Sequence, residues 1–200
     1  MPPPVFKAVI EKITEEAPAI RTFRIRLPEG TPFDFKPGQF AMISLPDVPT
    51  LTRAYSIASS PLEKGYIELT MNKVGKFTTL MFEQAEGAAI NVRGPFGHWL
   101  YDEKEPETVF VCGGTGITPF RCFARYVQQK KLPNRIHLFA SVKVPRDFAY
   151  KEELKRLNAT GQFKTHLTIT RPNEMAAGET WDGPTGRLSL EVVQGVVPGW

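Results

Sequence analysis

VFVCGGTGITPF, Val109–Phe120, is an apolar run that enters a glycine-rich turn and leaves it as a helix start. Val109, Phe110 and Val111 are strand formers, the glycines allow a tight turn and close backbone approach, and Pro119 sits where a first helical turn tolerates a missing N–H. A strand that passes through such a turn into a helix presents backbone N–H groups to the pyrophosphate of a dinucleotide. The string is not the GxGxxG of ordinary Rossmann domains, and a glycine turn by itself serves simple geometry equally well. Its meaning depends on what surrounds it.

Toward the C-terminus, strand and helix patterns alternate. Phe120, Phe123 and Val127 recur at helical spacing up to Lys130, Lys131 and Pro133, and IHLFA (136–140) is a second apolar run. A helix is predicted to begin near Asp147 and run through FAYKEELKRL, followed by the strand FKTHLTIT (163–170). Such alternation implies a parallel sheet with helices on its faces. Toward the N-terminus, Phe23, Ile25 and Leu27 alternate with Thr22, Arg24 and Arg26, and VFKAVIEKIT, QFAMISL, RAYSIAS, YIELTMN and AINVRG are further strand-like runs. A single helix is expected at about Phe77 to Gln84. The charged segment DEKEPE, Asp102–Glu107, reads as a linker. The resulting fold class is β + α/β: an antiparallel barrel or sandwich of six strands over residues 1–101, then a parallel α/β domain over 107–200.

Composition excludes several classes. The 200 residues carry a formal charge of +4 without a run of five like charges, so no nucleic-acid tail is indicated. Cys112 and Cys122 form no CxxC, and His98, His137 and His166 are scattered, so neither a disulfide scaffold, a metal site nor a triad is expected. No apolar stretch approaches the roughly 18 residues of a membrane span, and MPPPVFKAVIEKIT lacks the features of a secretory signal. A cytoplasmic location is the expectation.

Two further segments carry chemistry. In RAYSIASS, Arg53–Ser60, strand alternation puts Arg53 and Tyr55 on one face and Ser56 on the other. The guanidinium fork suits phosphate oxygens and the phenol ring suits a flat aromatic ligand. Read alone, the run is equally an ordinary strand with a surface Arg. In GKFTTLMF, Gly75–Phe82, a glycine turn opens a helix whose first N–H groups attract phosphate, Lys76 adds charge, and Thr78 can cap or donate. An isolated capped helix has the same pattern.

Together these segments resemble the ferredoxin-NADP reductase superfamily. RAYSIASS is similar to its RxYSxxS pattern and GGTGITP to its nicotinamide-nucleotide loop, while FKPGQF (35–40), GPFGHW (94–99), SVKVPRDFAYKEEL (141–154), TRP (170–172) and WDGPTGR (181–187) follow in family order. The resemblance implies a six-stranded FAD-binding barrel and a nucleotide-binding α/β domain. It places Arg53, Gly75, Lys76 and Thr78 on the FAD pyrophosphate and Tyr55 and Ser56 on the ring, with Thr70, Met71 and Phe77 completing the flavin set. Gly113, Gly114, Thr115, Gly116, Ile117, Thr118 and Pro119 would serve the pyridine nucleotide, with Thr118 near the meeting of nicotinamide and flavin. Ser56 and Thr118 are the catalytic candidates.

Ser141 and Lys143 would hold a 2′-phosphate and Arg171 a further phosphate. No Asp or Glu stands directly after that strand to accept ribose hydroxyls, which leans toward NADPH over NADH. The implied reaction is electron transfer from NAD(P)H through FAD to ferredoxin, an iron-sulfur domain, an oxygenase component or a small molecule. Any iron-sulfur centre must lie outside this chain, which has only two cysteines. The alternatives are a non-catalytic FAD-binding electron-transfer subunit, or the fold without flavin. Family members continue with a strand ending in a CGPP-like turn, a helix and a terminal strand or aromatic; the sequence lacks these, so the α/β domain is expected to be incomplete, by truncation in preference to a naturally reduced nucleotide half, and Trp200 is read as the place where the sequence ends in preference to a flavin-stacking aromatic.

Overall fold

The computed structural model describes residues 4–199, so Trp200 lies outside the described residues. Six strands, β1 (Val5–Ala17), β2 (Ile20–Arg26), β3 (Phe40–Ser44), β4 (Arg53–Ser56), β5 (Tyr66–Asn72) and β6 (Ala89–Phe96), form one antiparallel sheet in the order β4-β3-β6-β1-β2-β5. The Ile57–Leu69 bridge and the bond from Ala58 N–H to Glu68 C=O (2.7 Å) join the two ends of that order, closing the sheet. Closure removes the open edges that a flat sheet would leave. Phe23, Ile25, Ala41, Ile43, Ile57, Ile67, Leu69, Ile90 and Val92 fill the interior. Between β5 and β6, α1 (Lys76–Phe82) buries Phe77 and Met81 in the same core. It starts one residue before, and stops two before, the span expected from sequence.

A second, parallel sheet has the order β7-β8-β9, from Glu107–Gly113, Arg135–Val142 and Phe163–Ile169. A 3-10 turn at Gly114–Ile117 leads from β7 into α2 (Thr118–Lys130). Following β8, α3 spans Lys151–Ala159, later than the predicted start at Asp147. The reason is local: Pro145–Asp147 makes a separate 3-10 turn, and Tyr150 adopts φ +60, which breaks helical continuity. The last helix, α4 (Leu190–Val196), is capped by Ser189 and sets Val193 and Val197 against Phe139, Val109 and Leu188.

Contacts divide the chain differently from the expected boundary at residues 101–107. The first unit runs to Glu103 and takes in Thr118–Leu132; the second holds Lys104–Ile117 and everything from Pro133 on. Thus α2 belongs with the barrel, because Cys122 is part of the barrel core and Arg121 is paired with Glu68 of β5.

Candidate functional site

Within the barrel unit, Arg53 and Tyr55 lie opposite Ile43 and Ala41 on β3, so they share one side of β4 as alternation requires. Tyr55 is half-buried against the core, and its ring stacks on Phe77 with centroids 6.1 Å apart and planes 30° apart. Burial raises the Tyr55 phenol above its ordinary pKa, with the Arg53 charge opposing. Phe77 is in the first turn of α1, so this stack brings the Arg53 strand and the start of that helix together.

Both cations at this place are open. The Arg53 guanidinium is exposed, donating 2.8 Å to the Thr52 carbonyl, and no carboxylate among the described residues pairs with it. Lys76 is exposed beside Phe77. A Cβ at Gly75 would meet nothing within 4 Å, so the approach to the helix start is clear.

Of the two roles expected of Thr78, capping and donating to phosphate, the hydrogen bonds here are those of the cap. Its Oγ1 accepts from Val74 N–H (2.9 Å) and Gly75 N–H (3.0 Å) and donates to the Gly75 carbonyl (3.0 Å). That hydroxyl shapes the turn. Thr70 Oγ1 is bonded to Thr22 Oγ1 at 2.8 Å, and Met71 is 1% exposed. Ser56 is half-buried opposite Phe40.

In the second unit the sequence-marked residues gather at the carboxyl edge of the parallel sheet, the side on which open α/β sheets bind ligands. Gly113 is in register with Ser141, and Ser141 with Thr168; a Cβ at Gly113 would lie 3.7 Å from Ser141 Oγ. Gly114 has φ +52 and open space about it, Thr115 is half-buried, and Gly116 is exposed. Ile117 is buried in this unit. Thr118 and Pro119, grouped with the first unit, begin α2, and Thr118 is 3% exposed.

Lys143 is exposed, and its carbonyl accepts from Arg171 N–H at 2.9 Å. The Arg171 side chain is held 3.0 Å from Glu174, a surface pair that a phosphate can displace at little cost.

Two groupings were not legible in the sequence. The histidines at 137 and 166, read there as scattered, meet across β8 and β9: Nδ1 of His137 is 3.3 Å from Nε2 of His166, and Glu107 stands 3.4 Å from His137 Nε2. No group of three or more His, Cys, Asp or Glu among the described residues is arranged to hold a metal ion. The other grouping is Glu68 with Arg24, Arg121 and Arg125. Its only sequence signal was a carboxylate in the apolar strand YIELTMN and two arginines four apart on a helix. Burial pushes the Cys112 and Cys122 thiols up to about 12, so neither is a thiolate nucleophile at neutral pH.

Residues 7–101 match the oxidoreductase FAD-binding domain family and residues 110–199 the oxidoreductase NAD-binding domain family. The glycine betaine monooxygenase reductase subunit of Chromohalobacter salexigens is 27% identical over 94% of this chain and 52% of its own length. The sulfhydrogenase 1 gamma subunit of Pyrococcus furiosus is 31% identical over 86% of this chain and 59% of its own. The chain thus spans about half the length of these and other curated relatives it matches. A ferredoxin NADP+ reductase structure from Neisseria gonorrhoeae with bound FAD and NADP superposes with a TM-score of 0.79 at 22% identity, covering 96% of this chain and 76% of that one, a likeness of fold.

Proposed function

We propose a function from one premise: the chain belongs to the ferredoxin-NADP reductase superfamily. It takes reducing equivalents from a nicotinamide nucleotide through FAD and passes them to a redox protein. The observation that carries this reading is the Tyr55–Phe77 stack, which sets unpaired Arg53 beside the start of α1 and exposed Lys76. These residues fit FAD: two open cations and the free first-turn N–H groups suit a diphosphate, and a half-buried phenol suits a flat ring.

Arg53 and Lys76 bind the diphosphate, and Tyr55 orients the ring with Ser56 beside it. Gly75 and Phe77 shape the helix start and Thr78 holds the turn; Thr70 and Met71 contribute through backbone alone. When bound, the flavin supplies acceptance of a hydride from the nucleotide and release of its electrons singly or as a pair. Gly113–Ile117 present backbone to the nucleotide, Thr118 and Pro119 fix the exit from that loop, and Ser141, Lys143 and Arg171 hold its phosphates. The cationic Lys143, with no acidic residue directly after β8, favours NADPH; NADH is the competing donor.

The two domains are assigned to residues 1–101 and 107–200, with α2 attached to the first by its contacts. An oxygenase component or an iron-sulfur partner is the proposed acceptor, in keeping with the monooxygenase reductase subunits among its relatives. No helix among the described residues is long and apolar enough to cross a membrane. With two free thiols, a cytoplasmic setting is proposed.

Anaerobic mixing of the FAD-loaded chain with NADPH or NADH tests the reading. Rapid bleaching of the flavin spectrum is expected, faster with NADPH. A spectrum unchanged by either nucleotide would refute the reductase and favour a flavin-binding electron-transfer subunit.

A further inference from the structure

We infer that Glu68 and Arg121 are positioning residues for the nucleotide loop, acting through the start of α2; this rests on the proposed function above. The loop at Gly113–Ile117 contains three glycines, one with φ +52 in open space, so its own side chains do little to fix it. The loop runs without a break into α2, whose first residue, Thr118, is grouped with the barrel. One turn along, Arg121 Nη1 lies 2.5 Å from Glu68 Oε2, with the two side chains 8% and 6% exposed. The other carboxylate oxygen receives Arg24 Nε at 3.0 Å, and Arg125 approaches Oε2 at 3.3 Å.

A second carboxylate extends the row. Glu63 receives Arg125 at 3.3 Å, Gln129 at 3.2 Å and the Ser60 N–H at 2.9 Å. Arg121, Arg125 and Gln129 are spaced four apart, so they form one stripe of the helix directed at two fixed acceptors. Buried ion pairs add little net stability compared with apolar side chains of equal volume. Their geometry is demanding, however. An apolar helix face tolerates small slides and rotations, whereas forked donors on oxygens fixed to a strand accept one register. The device therefore fixes where α2 begins, and with it where the glycine loop ends. Glu68 and Arg121 lie on β5 and α2, whereas the flavin residues Arg53, Tyr55 and Lys76 lie on β4 and α1, so FAD retention is expected to be independent of the pair.

The test uses the full chain loaded with FAD and two variants, Glu68→Gln and Arg121→Lys. The second keeps the charge and most of the volume and loses only the fork, so it carries the test if the first fails to fold. Three quantities are measured: FAD affinity, amide hydrogen exchange over Thr118–Arg125, and flavin reduction rates with NADPH, NADH and dithionite, the last needing no nucleotide loop. Expected are unchanged FAD affinity and dithionite reduction, faster exchange at the start of α2, and a loss of roughly 10- to 100-fold in nucleotide-driven reduction, the scale of a misplacement near 1 Å. Variants that are reduced by nucleotide as fast as the parent overturn the inference and leave the proposed function standing. Equal losses with nucleotide and dithionite overturn it too, as does a loss of FAD affinity that accounts for the whole effect. A parent chain that neither nucleotide reduces removes the proposed function and this inference together.

Discussion

The ring of Tyr55 on β4 lies over that of Phe77 in the first turn of α1, 6.1 Å between centroids. Twenty-two positions separate the two in sequence, and only barrel closure brings them together. Tyr55→Phe keeps the stack and is expected to retain FAD. Tyr55→Ala removes a contact of about 0.5–1.5 kcal/mol beyond its buried area and is expected to weaken FAD binding severalfold or more, by fluorescence titration.

The role proposed for Arg53 is to hold the FAD diphosphate. A hydrogen bond to a charged group contributes about 1.5–3 kcal/mol, so Arg53→Ala is expected to raise the FAD dissociation constant roughly 10- to 100-fold. Thermal unfolding of the apo chain should move little, since the side chain is exposed and, among the described residues, its hydrogen bond is to the neighbouring Thr52 carbonyl.

Gly38 supports the barrel where the backbone turns at φ +103. A Cβ there would stand 2.2 Å from the Trp99 carbonyl oxygen. Gly30 also has a positive φ (+73), but open space around it. Gly38→Ala is expected to destabilise by well over about 1 kcal/mol, measured by denaturant midpoint, and Gly30→Ala by strain alone.

Glu68 makes barrel stability acid-sensitive. Burial raises its pKa, but the charges of Arg121 and Arg125 with the hydrogen bonds from Arg121 and Arg24 outweigh it, leaving the carboxyl below its ordinary 4.5. A depressed carboxylate contributes stability that is complete above the unfolded value and lost as pH falls through the native one. Unfolding midpoints should therefore drop below about pH 4.5, and Glu68→Gln should flatten that drop.

In the second unit the sign concerns a base. Burial, then the neighbouring His137 and Lys164, lowers the His166 pKa from 6.5, and His137 itself faces Glu107 of β7 at 3.4 Å. Because the native state favours the neutral ring, its contribution is complete above pH 6.5 and is lost as pH falls toward the native pKa. Imidazole NMR titration should show His166 protonating below an exposed histidine, and His166→Gln should remove that part of the pH dependence.

The alternation from Thr22 to Leu27 was readable because a barrel buries one face of each strand, and GGTGITP was readable because a strand-to-helix turn is local chemistry. Other features depend on residues far apart. The burial of Glu68 comes from α2, more than fifty positions later, so nothing in YIELTMN marks it as a tether. The His137–His166 contact requires the β8–β9 register. The later start of α3 turns on one left-handed Tyr150, and α4 escaped notice because LEVVQGV is rich in valine, with a glycine near its end. Among the site residues, Arg53 and Tyr55 lay where strand alternation put them, while the Thr70 bond to Thr22 and the burial of Met71 depend on the β2–β5 pairing and the closed barrel.

The most direct measurement is a fluorescence titration of the apo chain with FAD and with riboflavin, repeated on the Arg53→Ala, Lys76→Ala double variant. The expected result is one FAD per chain, far weaker riboflavin binding, and collapse of that difference in the variant, because the two cations act on the diphosphate that riboflavin lacks. Equal affinity of the parent chain for both flavins, or no binding of FAD at all, would contradict the placement of the cofactor between β4 and α1.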